Sequence, residues 1–201
     1  MNIDRNKMKI CIDAGHGGKD PGATVLTLKE KDFNLLVASN VYAQLMQTHS
    51  VKMTRFDDSY ISLPERCDIA NDFGADLFVS IHANAATVEA AKGFEVFCIS
   101  STGEKYAHSV LDCLFAAFPD KIKRGVKFKR FTVLMKTKMP AILIECGFMT
   151  NPAGLHYLKD ERSEVLIATA ITQGILKMVK AAVEAKELDA KNKKGATWNG
   201  F

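Results

Sequence analysis

Three titratable side chains stand at the ends of three short apolar runs. His16 follows the first run and a glycine-rich loop, His82 ends the second run, and Glu145 directly follows the third. Two histidines and a carboxylate are typical ligands of a catalytic zinc ion, which keeps a fourth position open for water. These residue types therefore point to metal-assisted hydrolysis, provided that the chain supplies a third ligand and a separate carboxylate as general base.

Glu30 is the best candidate for the third ligand. It lies in the segment 29–32, which begins the first predicted helix just after the glycine-rich loop. Glu145 is then left as the general base that takes a proton from a zinc-activated water, while the metal stabilises the charge that develops on the scissile carbonyl. The sequence thus predicts one Zn²⁺ per chain, with His16, Glu30 and His82 as ligands.

Each of these residues also has a structural interpretation. His16 could hydrogen-bond the backbone of its own loop, and His82 could be a hydrogen-bonded histidine at the end of a core strand. Glu30 could favour the helix N-terminus through its charge. Glu145 is harder to explain in this way, because a carboxylate beside a buried apolar run is rarely left without a partner.

Two further residues are candidates for contact with a substrate. Asn84 follows His82 by two positions in a loop beside the predicted site. Arg66 lies on the helix after the second predicted strand, where it could meet a carboxylate near the site or form a structural ion pair. The remaining histidines lack companion ligands and are predicted to lie at the surface: His49, His108 and His156.

The predicted elements would bring the site residues to one edge of a sheet. Six strands are predicted, at 9–13, 51–54, 77–81, 93–99, 132–134 and 141–144. Four helices are predicted, at 32–45, 62–73, 103–118 and 161–185. Strands that alternate with helices indicate a three-layer α/β domain, with a central, mostly parallel or mixed twisted sheet of about six strands flanked by helices. In such sheets ligands bind at the carboxyl ends of the strands.

Helix boundaries and helix faces follow from particular residues. Ser62 and Glu65 have the spacing of a capping box, and Gly74 is placed to end the helix that they begin. The last helix is predicted to turn an inner stripe toward the core: Leu166, Ala170, Ile171, Ile175, Met178 and Val179.

Composition excludes two classes of protein. The chain has 201 residues, of which 47% are apolar and 25% are charged, with a formal net charge of +4. A disordered chain needs lower hydrophobicity, and no run of about 18 apolar residues predicts a transmembrane segment. We expect a catalytic domain over residues 1–185 and a charged tail or linker over 186–201, which is too short for a further domain of ordinary size.

The start of the chain and the cysteines bear on the compartment. Residues 1–9 carry charges but no apolar segment, so we expect no signal peptide and synthesis in the cytoplasm. The five cysteines show no paired spacing, which favours structural thiols over disulfides or a cysteine-ligated zinc site: Cys11, Cys67, Cys98, Cys113 and Cys146.

Five sequence blocks, in the same order, resemble the LytC/AmiC-type (amidase 3) family of zinc-dependent N-acetylmuramoyl-L-alanine amidases. The blocks lie at 9–23, 29–35, 63–85, 124–127 and 138–152, within a resemblance that covers about residues 8–180. Ala14 stands where many members have proline, and Cys146 where many have an aliphatic residue. Neither difference touches a catalytic atom.

The resemblance implies a reaction and a role for each site residue. Zinc would be bound by the residues matching His16, Glu30 and His82, with Glu145 as the catalytic glutamate. The bond cleaved would be the amide between N-acetylmuramic acid and the L-alanine of the peptidoglycan stem peptide. Glu145 would then pass its proton to the departing alanine nitrogen.

The expected biological settings are phage-mediated lysis and bacterial wall remodelling. A phage endolysin would reach the wall through a holin-type membrane lesion, and a host enzyme by non-classical export. The alternatives are a zinc hydrolase acting on another amide and a non-catalytic wall-binding protein with a degenerate site. The complete set of His16, Glu30, His82 and Glu145 argues against the binding protein, which needs no general base. No particular oligomeric state is predicted.

A basic segment at 121–130 suggests how the wall could be attracted. It has six positive charges and no acidic residue: Lys121, Lys123, Arg124, Lys127, Lys129 and Arg130. These charges could form a solvated surface or attract the anionic wall polymer. Nucleic acid is not an expected partner, because no aromatic interleaving or reading motif accompanies the charges.

Overall fold

The computed structural model describes residues 7–88 and 90–196, and for residues 186, 187 and 189–196 it describes the backbone alone. The strands within these residues are β1 (Lys9–Ala14), β2 (Thr24–Val25), β3 (Leu28–Lys29), β4 (Ser50–Met53), β5 (Leu77–Asn84), β6 (Phe94–Cys98), β7 (Lys123–Phe128) and β8 (Ala141–Phe148). The helices are α1 (Glu30–Leu45), α2 (Leu63–Phe73), α3 (Ser101–Ala117), α4 (Thr132–Lys136), α5 (Pro152–Leu158) and α6 (Glu161–Ala196).

The central sheet has six strands in the order β4-β1-β5-β8-β6-β7. β4, β1, β5 and β8 are parallel neighbours, β6 runs antiparallel to β8, and β7 is parallel to β6. Helices α1, α3 and α6 cover one face of this sheet, and α2 and α4 cover the other. The structure confirms the predicted three-layer α/β domain with a mixed, mostly parallel sheet.

The parallel pairing of β1, β5 and β8 brings their carboxyl ends to the same edge of the sheet. Within this arrangement His82 of β5 is level with Glu145 of β8. Because successive residues of a strand face opposite sides, these two side chains share the face of Phe78 and Leu143, which belong to the core beneath α2 and α4. Strand register therefore places His82 beside Glu145.

The caps of α2 are those that the sequence predicts. The Ser62 side chain accepts a hydrogen bond from the Glu65 N–H, and the Glu65 carboxylate accepts one from the Ser62 N–H. The helix ends at Gly74, whose φ of 63° is a left-handed conformation that glycine adopts without a Cβ clash. Local chemistry is enough to set both ends of this helix.

The segments 132–134 and 123–128 differ from the prediction. Residues 132–134 belong to α4 rather than to a strand, because Val133 and Leu134 pack into the core beside α2. Tertiary packing here overrides the β-propensity of a short apolar run. Conversely, the sequence does not predict β7, because this strand lies within the basic segment and contains only two apolar side chains, Val126 and Phe128. Charged residues are usual on an edge strand such as this one.

Helix α6 extends beyond its predicted range. It runs to Ala196, so the charged segment from 186 continues the helix as far as that residue. Leu166, predicted to face the core, is 41% exposed. The buried face of α6 follows residues spaced four apart from Ile167 onward, and Leu166 lies beside this face rather than on it. Four residues of the predicted stripe are buried: Ala170, Ile171, Ile175 and Val179. The predicted tail residues 197–201, with Trp198, lie outside the described residues.

The first part of α6, Glu161–Ala185, is long and apolar enough to cross a membrane by length and composition alone. Its apolar side packs against α1 and α3, and 44% of the most apolar window is buried. This pattern is typical of a core helix.

One of the three predicted surface histidines is buried. His49 is 6% exposed, because it immediately precedes β4 and its ring accepts a hydrogen bond from the Met8 N–H beside β1. His108 and His156 are exposed, as predicted. All five cysteines are free thiols, which confirms the absence of a disulfide framework.

Candidate metal centre and catalytic cleft

The side chains of His16, Glu30 and His82 converge at the carboxyl edge of the sheet. His16 lies in the loop after β1, Glu30 is the first residue of α1, and His82 lies in β5. His16 Nε2 is 3.2 Å from Glu30 Oε2, and His82 Nδ1 is 2.9 Å from Glu30 Oε1. One potential ligand atom from each residue lies within 4.8 Å of the others. The structure thus brings together the three residues that the sequence singled out.

The backbone of the loop after β1 is shaped to admit the His82 ring. A Cβ atom on Gly15 would lie 2.2 Å from His82 Cε1, so only glycine allows this approach. His16 has a φ of 60°, a conformation that L-residues rarely adopt and that clusters at functional sites. Two buried arginines hold the loop, since Arg66 donates to the His16 carbonyl at 2.7 Å and Arg55 to the Gly15 carbonyl at 3.0 Å.

The three side chains fit a divalent metal such as zinc. Two ligand atoms on one tetrahedral zinc ion lie about 3.3 Å apart, which is close to the two distances between the histidines and Glu30. His16 Nδ1 is 2.8 Å from Asp20 Oδ2, so the other ring nitrogen, Nε2, is directed toward Glu30. A carboxylate behind a histidine in this way fixes the tautomer and orientation that a metal ligand needs. Imidazole and carboxylate donors also suit zinc chemically.

Charge within the cluster favours a cation. Burial opposes ionisation of Glu30, but hydrogen bonds and positive charge from His16 and His82 hold its pKa well below the usual value. Burial likewise opposes the charged form of His16, yet the carboxylates of Glu30 and Asp20 raise its pKa. The centre therefore keeps Glu30 ionised, and this negative charge attracts a cation, which must displace any proton held by His16.

Glu145 lies beside the cluster but outside it. It is 9% exposed and lines the same cavity, and its Oε2 atom has no hydrogen-bond partner among the described residues. Burial, together with the negative charges of Glu30 and Glu95, raises the pKa of Glu145 well above its usual value, against a smaller opposing effect of Lys129. A carboxylate with a raised pKa in a cleft is suited to accept and return a proton near neutral pH.

A buried ion pair between Arg66 and Asp13 lies next to the loop that carries His16. Arg66 Nη1 is 2.7 Å from Asp13 Oδ1, and the Asp13 carboxylate also accepts hydrogen bonds from Thr54 at 2.7 Å and Ser80 at 2.6 Å. Burial opposes ionisation of Asp13, but the Arg66 charge and the Ser80 hydrogen bond lower its pKa overall. Arg66 is only 2% exposed, so the structure shows the structural ion pair, one of the two roles that the sequence left open for this residue. Contact between Arg66 and a substrate stays a prediction.

Asn84 is held in the wall of the cavity by a second ion-pair group. Its Nδ2 donates to Glu95 Oε1 at 2.8 Å, while Glu95 Oε2 lies 2.7 Å from Arg124 Nε and 2.5 Å from Lys127 Nζ. The amide therefore has a defined orientation in the cleft. Whether Asn84 contacts a substrate stays a prediction.

Sequence reasoning missed four polar residues around the site: Asp13, Asp20, Arg55 and Glu95. Asp13 and Asp20 could have been found from the sequence. Asp13 follows a buried apolar run, as Glu145 does, and Asp20 follows His16 by four positions in the glycine-rich loop. Arg55 and Glu95 could not, since each acts on residues at least 11 positions away.

One cavity contains all the residues that the sequence predicted for the site. It has a volume of about 580 Å³ and is lined by His16, Glu30, His82 and Glu145, and also by Arg66 and Asn84. Further lining comes from the segment 130–133 and from Tyr60, Ile61 and Leu63, among other residues. A metal-binding cluster and a protonatable carboxylate in one cleft can hydrolyse an amide or ester.

Comparison with known proteins assigns the family. A family model described as N-acetylmuramoyl-L-alanine amidase matches residues 10–177. The sporulation-specific N-acetylmuramoyl-L-alanine amidase of Bacillus subtilis (strain 168) is 37% identical over 158 residues, which cover 76% of this chain and 60% of that protein. The chain thus spans less than two thirds of this relative.

Two solved structures share the fold over most of the chain. The catalytic domain of CwlV, an amidase of Bacillus (Paenibacillus) polymyxa var. colistinus, is 34% identical with a TM-score of 0.82, covering 86% of this chain and 98% of that one. AmiC2 of Nostoc punctiforme is 36% identical with a TM-score of 0.83, covering 86% and 97%. On this evidence, the chain belongs to the N-acetylmuramoyl-L-alanine amidase family.

Proposed function

We propose that this protein hydrolyses the amide between N-acetylmuramic acid and the L-alanine of the peptidoglycan stem peptide, using one Zn²⁺ held by His16, Glu30 and His82. The observation that carries the proposal is the convergence of these three donors with Glu145 in one cavity of a chain that belongs to the amidase family.

The chain's own residues perform distinct tasks in this reaction. When bound, the metal supplies Lewis-acid polarisation of the scissile carbonyl and acidification of water. Glu145 takes a proton from the attacking water and passes it to the departing alanine nitrogen. Asp20 orients the His16 ring, and Arg55 and Arg66 fix the loop that carries it. The surrounding wall limits access of bulk water to the carboxylate.

The alternative, a non-catalytic wall-binding protein, does not explain Glu145. Burial of the Glu145 Oε2 atom without a hydrogen-bond partner among the described residues lowers stability, and binding alone gives no reason to retain it. A general base requires this environment, because its pKa must approach the working pH. The buried carboxylate therefore favours the enzyme.

The proposal is tested by digesting purified peptidoglycan and labelling the new amino ends. We expect the zinc-loaded protein to release N-terminal L-alanine while the glycan strands stay intact. Cleavage of a different amide would support the zinc hydrolase of other specificity. No new amino end, with the protein bound to the wall, would favour the binding protein.

Removal of the metal is expected to abolish activity reversibly. Dialysis against a chelator should lower kcat by about 10²–10⁴-fold, because a catalytic metal supplies several kcal/mol of transition-state stabilisation. Zn²⁺ should restore activity and Mg²⁺ should not, since Mg²⁺ prefers an all-oxygen octahedral site. Metal analysis of the dialysed protein provides the control. Full activity in protein shown to be metal-free contradicts the proposal.

Asp20→Asn is expected to weaken zinc binding by about 10–100-fold, the usual effect of losing the carboxylate behind a histidine ligand. Asparagine can keep the hydrogen bond that Asp20 accepts from the Gly22 N–H, so the loop is preserved and the change removes the carboxylate behind His16. Competitive titration with a chromogenic chelator measures the affinity. Asp32→Asn is the matched control, an exposed acid two residues from Glu30 whose loss should change affinity by less than about twofold. Equal affinities for the two variants would show that Asp20 does not orient His16.

The place of action that we propose is the bacterial wall, because that is where the substrate lies. Release through a holin-type lesion or non-classical export would deliver the protein, in host lysis or in wall remodelling respectively. Production of the protein inside a bacterium tests delivery, because lysis should then depend on permeabilising the membrane. Lysis at the same rate without permeabilisation contradicts dependence on a lesion.

A further inference from the structure

A second cavity adjoins the catalytic cleft. It has a volume of about 490 Å³ and is lined by Ile99, Phe128, Lys129, Arg130 and Met135. Arg130 lines both cavities, so the two lie side by side and share this side chain. Three of its residues are apolar and exposed, with Phe128 at 62%, Met135 at 44% and Ile99 at 38%. A groove with an apolar lining and two cations therefore lies beside the cleft.

The two cations of this groove differ from the other four of the basic segment. Those four have carboxylate partners: Lys121 with Asp120, Lys123 with Asp112, and both Arg124 and Lys127 with Glu95. Lys129 and Arg130 have no carboxylate partner among the described residues.

The neighbours of these two cations are weakly polar. Arg130 Nε is 3.5 Å from Met135 Sδ, and Lys129 Nζ lies 4.6 Å from the centre of the Phe131 ring. Thioether and aromatic contacts position a cation without neutralising it. An anion that reached the groove would therefore meet two charges that are already positioned.

We propose that Lys129 and Arg130 bind a carboxylate of the stem peptide, while the apolar lining receives its aliphatic side chains. This inference rests on the proposed function. N-acetylated sugars are uncharged, whereas the stem peptide carries carboxylates beyond its first alanine, so the charged groove selects the peptide side of the scissile amide. Because Arg130 lines the cavity that holds Glu145, the anion it meets belongs to the molecule being cleaved.

Paired substrates test the proposal. Two muramyl peptides that differ only in a free or an amidated carboxyl on the residue after L-alanine are compared with the zinc-loaded full chain. We expect the parent to prefer the free carboxylate, mainly through a lower KM, and Arg130→Gln to reduce the ratio of the two kcat/KM values by about tenfold. Tenfold corresponds to about 1.4 kcal/mol, in line with one charge-assisted hydrogen bond.

Lys136→Gln is the matched control. Lys136 lies in α4, lines neither cavity and is exposed, and its replacement removes the same charge. The preference for the free carboxylate should survive this change. An equal loss in Lys136→Gln and Arg130→Gln would show that only overall charge matters and would overturn the proposal, as would an unchanged ratio in Arg130→Gln.

A binding measurement separates the subsite from catalysis. Calorimetric titration of the protein with the free stem peptide should give a Kd about tenfold higher for Arg130→Gln than for the parent. If the parent cleaves neither substrate, the proposed function fails, and this titration still judges the subsite. If Arg130→Gln loses affinity only for walls that carry teichoic acid, the anion is a polymer phosphate and the proposal is wrong.

Discussion

Replacing Glu145 with glutamine is expected to lower kcat for muramyl peptide hydrolysis by about 10²–10⁴-fold, the usual contribution of a general acid–base group. Glutamine has nearly the same shape but cannot take a proton from the attacking water. Glu145 lies outside the His16–Glu30–His82 cluster, so the zinc content of the variant should equal that of the parent. Initial rates under saturating substrate, together with metal analysis, measure both effects.

The stability of this variant separates a catalytic role from a structural one. The Glu145 Oε2 atom is buried without a hydrogen-bond partner among the described residues, so loss of the negative charge should not lower the free energy of unfolding. Glu104→Gln makes the same change at a half-buried position of α3 outside the cleft and should retain full activity. A Glu145→Gln enzyme as active as the parent would falsify the assignment of the general base.

Asp13→Asn is expected to lower the free energy of unfolding by about 3–5 kcal/mol, the usual cost of breaking a buried ion pair from one side. Arg66 would remain 2% exposed without its counter-charge. Urea denaturation of the zinc-loaded protein measures the change. Asp112→Asn removes a carboxylate from an exposed pair with Lys123 and should cost less than about 1 kcal/mol. Similar losses in both variants would contradict a special role for the buried pair.

The effect of Asp13→Asn should also depend on pH. The pKa of Asp13 is lower in the folded protein than in the unfolded chain, where it is about 3.9. The carboxylate therefore contributes its stability above the unfolded pKa, and that stability is lost as the pH falls through the folded value. The difference between parent and variant should accordingly be constant from pH 5 upward and shrink below about pH 4. A difference that grows on acidification would contradict the lowered pKa.

The same ion pair links the stability of the fold to the geometry of the site. Arg66 donates to the carbonyls of Ala14 and His16, both at 2.7 Å, from the position that Asp13 fixes. A change at Asp13 should therefore disturb the loop of the metal cluster as well as the core. We expect Asp13→Asn to bind zinc more weakly than the parent even where it remains folded.

The sequence by itself determined the features that depend on near neighbours. Short continuous apolar runs located β1, β5 and β8, because a strand buried on both faces needs apolar side chains on both. Ser62, Glu65 and Gly74 set the ends of α2, because helix caps are completed within one turn. The site residues could be predicted because His16, His82 and Glu145 lie near the carboxyl ends of strands whose parallel pairing brings those ends to one edge.

Only the tertiary structure decided the features that depend on partners distant in the sequence. The segment 132–134 is helical because its apolar residues pack beside α2, and Arg66 is structural because Asp13, 53 positions away, neutralises it. The basic segment divides in the same way, since Glu95 pairs with Arg124 and Lys127, whereas Arg130 lines the cleft and Lys129 lines the groove beside it. Charge can be counted from a sequence, but the folded chain determines which charges are neutralised, because electrostatic interaction and burial depend on distance in space.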